Sequence, residues 1–328
     1  MKIIVDAFGG DNAPLEIIKG CVMAVEKYGV NIILTGDENT IREVAKTNSL
    51  PLNNIEIEHC TQVITMEDSA ESVLKGKKDS SMAVGFRLLN EGKGDAFLSA
   101  GNSGALCMGA TLGIKRIKGI KRPAFAPVIP SDTGCLMLLD SGANIECRPE
   151  MLCQFALMGS IYMEKVMKVK NPRVALANVG TEETKGTELY RTTYDMLSKS
   201  ELNFIGNIEG RDVPAGTADV VVCDGFTGNL ILKTYEGVAL TLMNKVKTLF
   251  AGSVKGKLVA SLVLKELKTL KNDFDYNSYG GAPILGSSKP VFKGHGSAKA
   301  KTILSAIGLC IDYVNGKAIE EISTALAV

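Results

Sequence analysis

Short aliphatic segments alternate with amphipathic helical patterns along most of this chain, and that alternation restricts it to an α/β fold with a largely parallel sheet. Ile3–Val5 leads into Pro14–Tyr28, where Leu15, Ile18, Val22 and Val25 share one helical face and Pro14 suits a first turn. Ile32–Leu34 precedes a helical pattern at Glu38–Lys46, Ala96–Leu98 precedes Ala105–Ile114, and Val174–Ala177 precedes Thr187–Leu197. Ala218–Cys223 then precedes a long helix starting near Thr227. Ala124–Ile129 and Leu136–Leu139 are close enough in sequence to form an antiparallel excursion. With no fixed-period repeat, low-complexity stretch or marked linker, the expectation is a three-layer doubly wound α/β unit, one large domain over residues 1–328.

Composition narrows the function classes. The 328 residues are 45% hydrophobic and 22% charged with a net charge of +1, which implies neither disorder nor a nucleic-acid partner. Eight scattered cysteines without a C-x-x-C pair, and only His59 and His295, argue against a structural zinc site; no metal is expected. Cys135 and Cys223 stand beside apolar runs and read as small buried hydrophobes in a reducing compartment. Lys2–Asp6 reads as a first strand rather than a signal peptide. No run reaches the roughly 18 to 20 apolar residues of a spanning helix, so a cytoplasmic protein is expected, at most attached to a membrane surface.

Residues 227–271 depart from the βα plan. Two helical patterns meet at Ala251-Gly252-Ser253, and the first, Thr227–Phe250, would be about 36 Å long at ~1.5 Å per residue. Its apolar residues spread over more than a narrow stripe, and the segment carries eight lysines against two glutamates. A protruding helical hairpin is expected, burying its apolar face in a subunit interface. Its tip, Phe250–Leu258, also has the character of a membrane contact.

Several familiar chemistries are missing: there is no G-x-x-x-x-G-K-[ST], no G-x-G-x-x-G after a strand, no H-E-x-x-H and no G-x-S-x-G. One loop type recurs at strand ends instead. It appears as Asp6-Ala7-Phe8-Gly9-Gly10-Asp11, Ser99-Ala100-Gly101-Asn102-Ser103-Gly104, Leu139-Asp140-Ser141-Gly142-Ala143-Asn144, Asn178-Val179-Gly180-Thr181-Glu182, Gly206-Asn207-Ile208-Glu209-Gly210 and Asp224-Gly225-Phe226-Thr227-Gly228-Asn229. Ligands of open α/β sheets bind beyond the carboxyl ends of the strands, where six such loops could converge. Glycine lets backbone N–H groups approach an anion, and asparagine supplies uncharged donors for a phosphate or a developing oxyanion. An anionic ligand is therefore expected. Lys185 is the cation placed to complete such a site, and His295, between Gly294 and Gly296, is a candidate acid, base or anion donor.

Read in order, these loops resemble the PlsX phosphate acyltransferases of bacterial phospholipid synthesis. The matching stretches are the loops at residues 6–14, 99–105, 139–144, 178–186, 203–210 and 224–229, then Tyr279-Gly280-Gly281-Ala282-Pro283 and His295-Gly296-Ser297. Ser103 stands where the family usually has threonine, and Ala298 where a second serine is common. The resemblance implies a fold like that of isocitrate dehydrogenase and phosphotransacetylase, a homodimer, no cofactor, and transfer of a long-chain acyl group from acyl carrier protein to inorganic phosphate. It also implies loose association with the inner face of the cell membrane and a downstream glycerol-3-phosphate acyltransferase. Phosphate is already nucleophilic and a thiolate leaves readily, so no protein nucleophile is needed. On this reading Lys185, Asn178 and the Gly180 backbone bind phosphate, while Asn102, Asn229 or Ser103 meets the thioester carbonyl. Asp224 and Asp140 orient these groups, and His295 completes the catalytic set. Gly9, Gly10, Asp11, Gly101, Asn144, Asn207 and Gly228 line the substrate cradle. Two other functions use the same residues differently: a Mg- and NAD(P)-dependent decarboxylating dehydrogenase with Asp140, Asp224 or Glu209 on the metal, and a non-catalytic acyl or phosphate sensor. Acyl transfer from CoA rather than the carrier is a further variant.

Overall fold

The protein was analysed as a computed structural model that describes residues 1–252, 259–260, 262–267 and 280–327. Its strands are β1 (Lys2–Asp6), β2 (Asn31–Gly36), β3 (Ile55–His59), β4 (Ala96–Ser99), β5 (Ala124–Phe125) and β6 (Val128–Ser131). They continue with β7 (Gly134–Leu139), β8 (Val174–Asn178), β9 (Phe204–Glu209), β10 (Val220–Val222), β11 (Gly281–Leu285) and β12 (Val291–Gly294). The helices are α1 (Leu15–Tyr28), α2 (Glu38–Thr47), α3 (Ser81–Asn90), α4 (Ser103–Met108), α5 (Pro149–Lys165), α6 (Glu188–Ser198), α7 (Asp212–Ala215), α8 (Gly225–Ala251), α9 (Ala300–Asn315) and α10 (Ala318–Ala325).

The α/β class and the predominance of parallel pairing are as expected, but the strands form two sheets. One has the order β3-β2-β1-β4-β12-β11-β5, the other β6-β7-β10-β8-β9. From β3 to β12 the first sheet is parallel, as is the second from β7 to β9. The division has a local cause. Ala124–Ile129 looks like one apolar segment, but Pro127 has no N–H to continue a ladder. The chain therefore leaves β5, which pairs with β11, and enters β6, which pairs antiparallel with β7.

Alternate strand residues face different helices, so β1 is a continuous apolar run, buried on both sides. Ile3, Val5, Ile32 and Leu34 pack in one cluster with Ile17 and Ile18 of α1 and Ile303 of α9. Ile4, Ile33 and Phe97 face a second cluster containing Met82 and Phe86 of α3. In the second sheet Val220, Val222 and Leu139 meet Leu152 and Phe155 of α5, while Val221, Leu136 and Leu138 form the opposite face with Ile231 and Leu232 of α8. The first of these clusters runs through both sheets, which fixes the two sets of strand ends relative to one another.

Two helices differ from their sequence patterns. The expected Ala105–Ile114 helix is α4 followed by a wider π-helical turn at Gly109–Ile114, where the weak helix former Gly109 sits against Phe86 and the Thr111 hydroxyl donates back to the Cys107 carbonyl. The long helix is confirmed as α8, Gly225–Ala251. Most of the expected tip, residues 253–258, and Tyr279 lie outside the described residues. Cys223 is buried, Cys135 only partly. Among the described residues no helix is long and apolar enough to cross a membrane.

Candidate active site

Parallel strands place the loops after β1, β4 and β12 at one edge of the first sheet, where they interlock. Asn12 donates through its side-chain amide to the Ser297 carbonyl at 3.1 Å, and the Asp11 amide donates to the Gly296 carbonyl at 2.8 Å. Gly10 has φ of +103°, and a side chain there would press within 2.9 Å of the same carbonyl oxygen, so only glycine suits the position. Beneath them Asp6 is buried, accepting from the Ser99 hydroxyl at 2.6 Å and the Phe8 amide at 3.1 Å. Burial raises its carboxyl above the usual range, against those hydrogen bonds and the nearby Lys293 ammonium.

A second buried carboxylate organises the other sheet's loops. Asp140 accepts from the backbone N–H groups of Phe125 (2.9 Å), Ala143 (3.2 Å) and Asn144 (2.6 Å) and from the Asn144 side chain (2.9 Å). Burial still raises its carboxyl. The first turn of α8 lies directly on this loop: a Cβ at Gly228 would come within 1.9 Å of the Asp140 carbonyl oxygen. Asp224 caps α8, accepting from the Thr227 amide and hydroxyl at 2.9 Å each and from the Tyr190 hydroxyl at 2.7 Å.

Between the two groups of loops lies a cavity of about 400 Å³. Ser103, Lys293, His295 and Gly296 line it from the first sheet, and Ser141, Gly142, Asn229, Lys233 and Glu236 from the second. Phe125, Val128, Ile129 and Leu232 make an apolar wall. Lys293 is half-buried; its amine donates to the Ala100 carbonyl at 3.0 Å and the Gly294 carbonyl at 2.7 Å. Desolvation pushes its pKa down to about 8, opposed by Asp6 and Asp11. Burial also lowers His295, which keeps its ring neutral at pH 7. His295 Nδ1 lies 2.9 Å from the Ser297 hydroxyl and 3.3 Å from the Ser297 amide, which hold the ring at the cavity wall. Lys233 pairs with Glu236 at 2.8 Å along α8. The cavity thus offers an ammonium, an imidazole and an amide opposite an apolar surface.

The residues singled out in the sequence fall into three groups. Ser103, Asn229 and His295 line the cavity, and Gly9, Gly10, Asp11 and Gly101 form the interlocked loops behind it. Asn102, Asn144, Asp224 and Gly228 hold loops together. The Asn102 side chain donates to the Thr65 and Asp68 carbonyls at 3.0 Å and caps α4 by accepting from Ala105, and the Asn144 amide donates to Pro123 at 2.8 Å. The third group stands apart: Lys185, Asn178, Gly180 and Asn207 do not line the cavity. Lys185 is exposed on the 178–186 loop, where Asn178 donates to the Lys185 carbonyl at 3.2 Å and Asn207 donates to the Glu182 carbonyl at 2.9 Å. None of the cavities among the described residues is lined by all six loops. Lys293, Lys233 and Glu236 escaped the sequence reading. The available signal was a lysine at the end of a β-rich segment, directly before Gly294-His295-Gly296.

A family model described as "Fatty acid synthesis protein" matches residues 1–321. The phosphate acyltransferase of Alkaliphilus oremlandii is 47% identical over 327 residues, covering 100% of this chain and 98% of that one. The phosphate acyltransferase of Acetivibrio thermocellus is 47% identical over 323 residues, covering 98% and 95%. Among solved structures, a phosphotransacetylase from Streptococcus pyogenes superimposes with a TM-score of 0.63 at 16% identity, covering 98% of this chain and 94% of its own, a likeness of fold. Full-length identity at this level, over a matching family model, shows that the chain belongs to the fatty acid synthesis protein family, that of the PlsX phosphate acyltransferases.

Proposed function

We propose that the chain transfers a long-chain acyl group from the thioester of acyl carrier protein to inorganic phosphate, and that the reaction occurs in the cavity between the two sheets. The observation that carries this reading is the pairing within one cavity of the Lys293, His295 and Asn229 groups with an apolar wall from Phe125, Val128, Ile129 and Leu232. The polar side suits phosphate and a carbonyl oxygen, the apolar side the first methylenes of an acyl chain.

In the proposed reaction a phosphate oxygen attacks the thioester carbonyl carbon, the C–S bond breaks, and the proton of hydrogen phosphate passes to the departing thiolate. The products are acyl phosphate and the free thiol. Lys293 holds the phosphate charge in place, and Asn229 donates to the oxygen on which negative charge develops. Asn102, whose donors are engaged by the 65–68 loop, serves by shaping the α4 end of the cavity. The His295 imidazole faces phosphate or the leaving sulfur. Lys185, outside the cavity, draws phosphate toward the cleft. Family membership gives the dehydrogenase and sensor alternatives no support.

The exposed apolar residues of α8, including Val238, Leu240 and Leu249, support a homodimer interface with membrane contact toward the tip. Acyl phosphate would pass from there to a glycerol-3-phosphate acyltransferase.

The direct test incubates the protein with long-chain acyl carrier protein and phosphate and traps acyl phosphate as its hydroxamate. Phosphate-dependent hydroxamate is expected. Saturable binding of both ligands without product would sink the enzymatic reading.

A further inference from the structure

The reaction cavity does not end at Ser103. A second cavity, of about 410 Å³, shares Ser103, Phe125 and Gly142 with it and continues past Met108 and Leu112 to Arg122. Arg122 in turn lines a third cavity of about 720 Å³, with Lys121 and Arg148 beside Glu146 and Glu150. Shared lining residues set the three side by side as one row, or groove, with Lys293 and His295 at one end and Lys121 and Arg148 at the other.

The outer end of this groove is basic for a reason visible in the chain. Lys115–Arg122 holds five cations in eight residues and no acid. The segment is pinned by the buried Ile117 and Ile120 and by the Arg116 guanidinium donating to the Lys121 carbonyl, which leaves its lysines and arginines exposed. None of these five, nor Arg148, forms an ion pair among the described residues. Two large apolar side chains are exposed at the same place. Leu112, 59% exposed, lines the second cavity, and Ile145, 70% exposed, lies between Asn144 of the second cavity and Glu146 of the third. Cations around isolated apolar anchors fit a folded acidic protein.

Resting on the acyl-transfer reading above, we infer that this groove is the docking path of the donor. An acidic carrier protein sits on Lys121, Arg122 and Arg148 with Leu112 and Ile145 beneath it. Its flexible thioester arm, attached through a phosphodiester, threads past Ser103 and Gly142 to deliver the carbonyl to Asn229. The cations at the outer end take the phosphodiester as well as the carrier's acidic side chains. A lipid surface would use the same charges but has no need of a groove leading to the reaction cavity.

The experiment compares two donors in the intact protein: acyl carrier protein, and an acyl thioester of N-acetylcysteamine, which lacks both carrier and phosphodiester. Charge reversal in Lys121→Glu/Arg148→Glu is expected to lower the carrier-to-truncated-donor ratio of kcat/KM by about tenfold or more, through KM, and to flatten its salt dependence. Charge reversal in Lys199→Glu, just past the end of α6, serves as a control and should leave the ratio in place; circular dichroism checks folding. An unchanged ratio with both donors turned over removes the docking path alone. Loss of co-flotation with anionic vesicles, again with an unchanged ratio, assigns these charges to a membrane and overturns the inference. A wild-type chain that makes acyl phosphate from neither donor instead removes the functional reading on which the groove depends.

Discussion

The 139–144 and 178–186 loops are nearly interchangeable as sequence: each leaves a strand of the same sheet, and each mixes glycine, asparagine and acidic residues. The fold treats them in opposite ways. The first is wired to a buried carboxylate, Asp140, pressed under α8 and made part of a cavity wall. The second bonds mainly to itself and to Asn207, and carries Lys185 in solvent. Composition sets what a loop can bind. Burial and position relative to the facing sheet decide whether it meets a ligand as a rigid cradle or as an exposed charge.

The sharpest way to break this contrast is to move the cation. Lys293→Met removes the ammonium that lines the cavity and should lower kcat/KM for phosphate by about 10²- to 10³-fold, the usual scale for one positioned electrostatic group. Steady-state kinetics at varied phosphate checks this, and a Lys293→Met protein of near wild-type activity would return the phosphate site to the exposed loop.

A methyl group probes rigidity. Gly228→Ala must displace either α8 or the backbone of Asp140, which is expected to cost about 1–3 kcal/mol by overpacking. At Gly180 a Cβ meets only side chains, Glu182 Oε2 at 2.9 Å and Lys185 Cγ at 3.2 Å, both able to swing away. Gly180→Ala should therefore stay within about 0.5 kcal/mol. Urea denaturation of the pair compares them, and equal effects would contradict the division into rigid and self-contained loops.

Titration offers a third test. Burial brings Lys293 down to about 8, so its positive charge is present below that pH and is lost as pH rises through it. Phosphate-dependent turnover should accordingly decline above about pH 8, approaching about tenfold per unit. Lys293→Arg, which stays protonated, should carry the declining limb upward. A limb that does not move in this variant belongs to another group.

The smallest expected effect lies on the exposed loop. Lys185→Ala should raise KM for phosphate about two- to fivefold with little change in kcat, and the effect should fade with added salt, as screened steering does. A loss of kcat as deep as that of Lys293→Met would place Lys185 among the catalytic residues.

Periodicity alone located most elements. Leu15–Tyr28, Glu38–Thr47 and Glu188–Ser198 are helices within a residue or two of their patterns, because one face of each is apolar and a Pro, Asp or Thr stands at the start. The break at Pro127 was visible as a residue but not as a change of sheet. Nothing local tells Ala124–Phe125 to pair with Gly281–Leu285, far along the chain.

The site was legible to the same degree. Sequence singled out Ser103, Asn229 and His295, which line the cavity, since glycine, asparagine and a lone histidine at strand ends carry donors into open space. It could not distinguish Lys293 from Lys185, because that difference is not chemical. Both are lysines beside glycine. The first sits at the end of a central strand, under two interlocked loops and across from α8; the second sits on a loop with nothing opposite it among the cavity walls. Sequence by itself determined the repertoire of groups and the α/β frame, which follow from local periodicity and residue type. The tertiary structure decided which groups face each other, because that depends on strand pairing between segments distant in the chain and on the apolar cluster that the two sheets share.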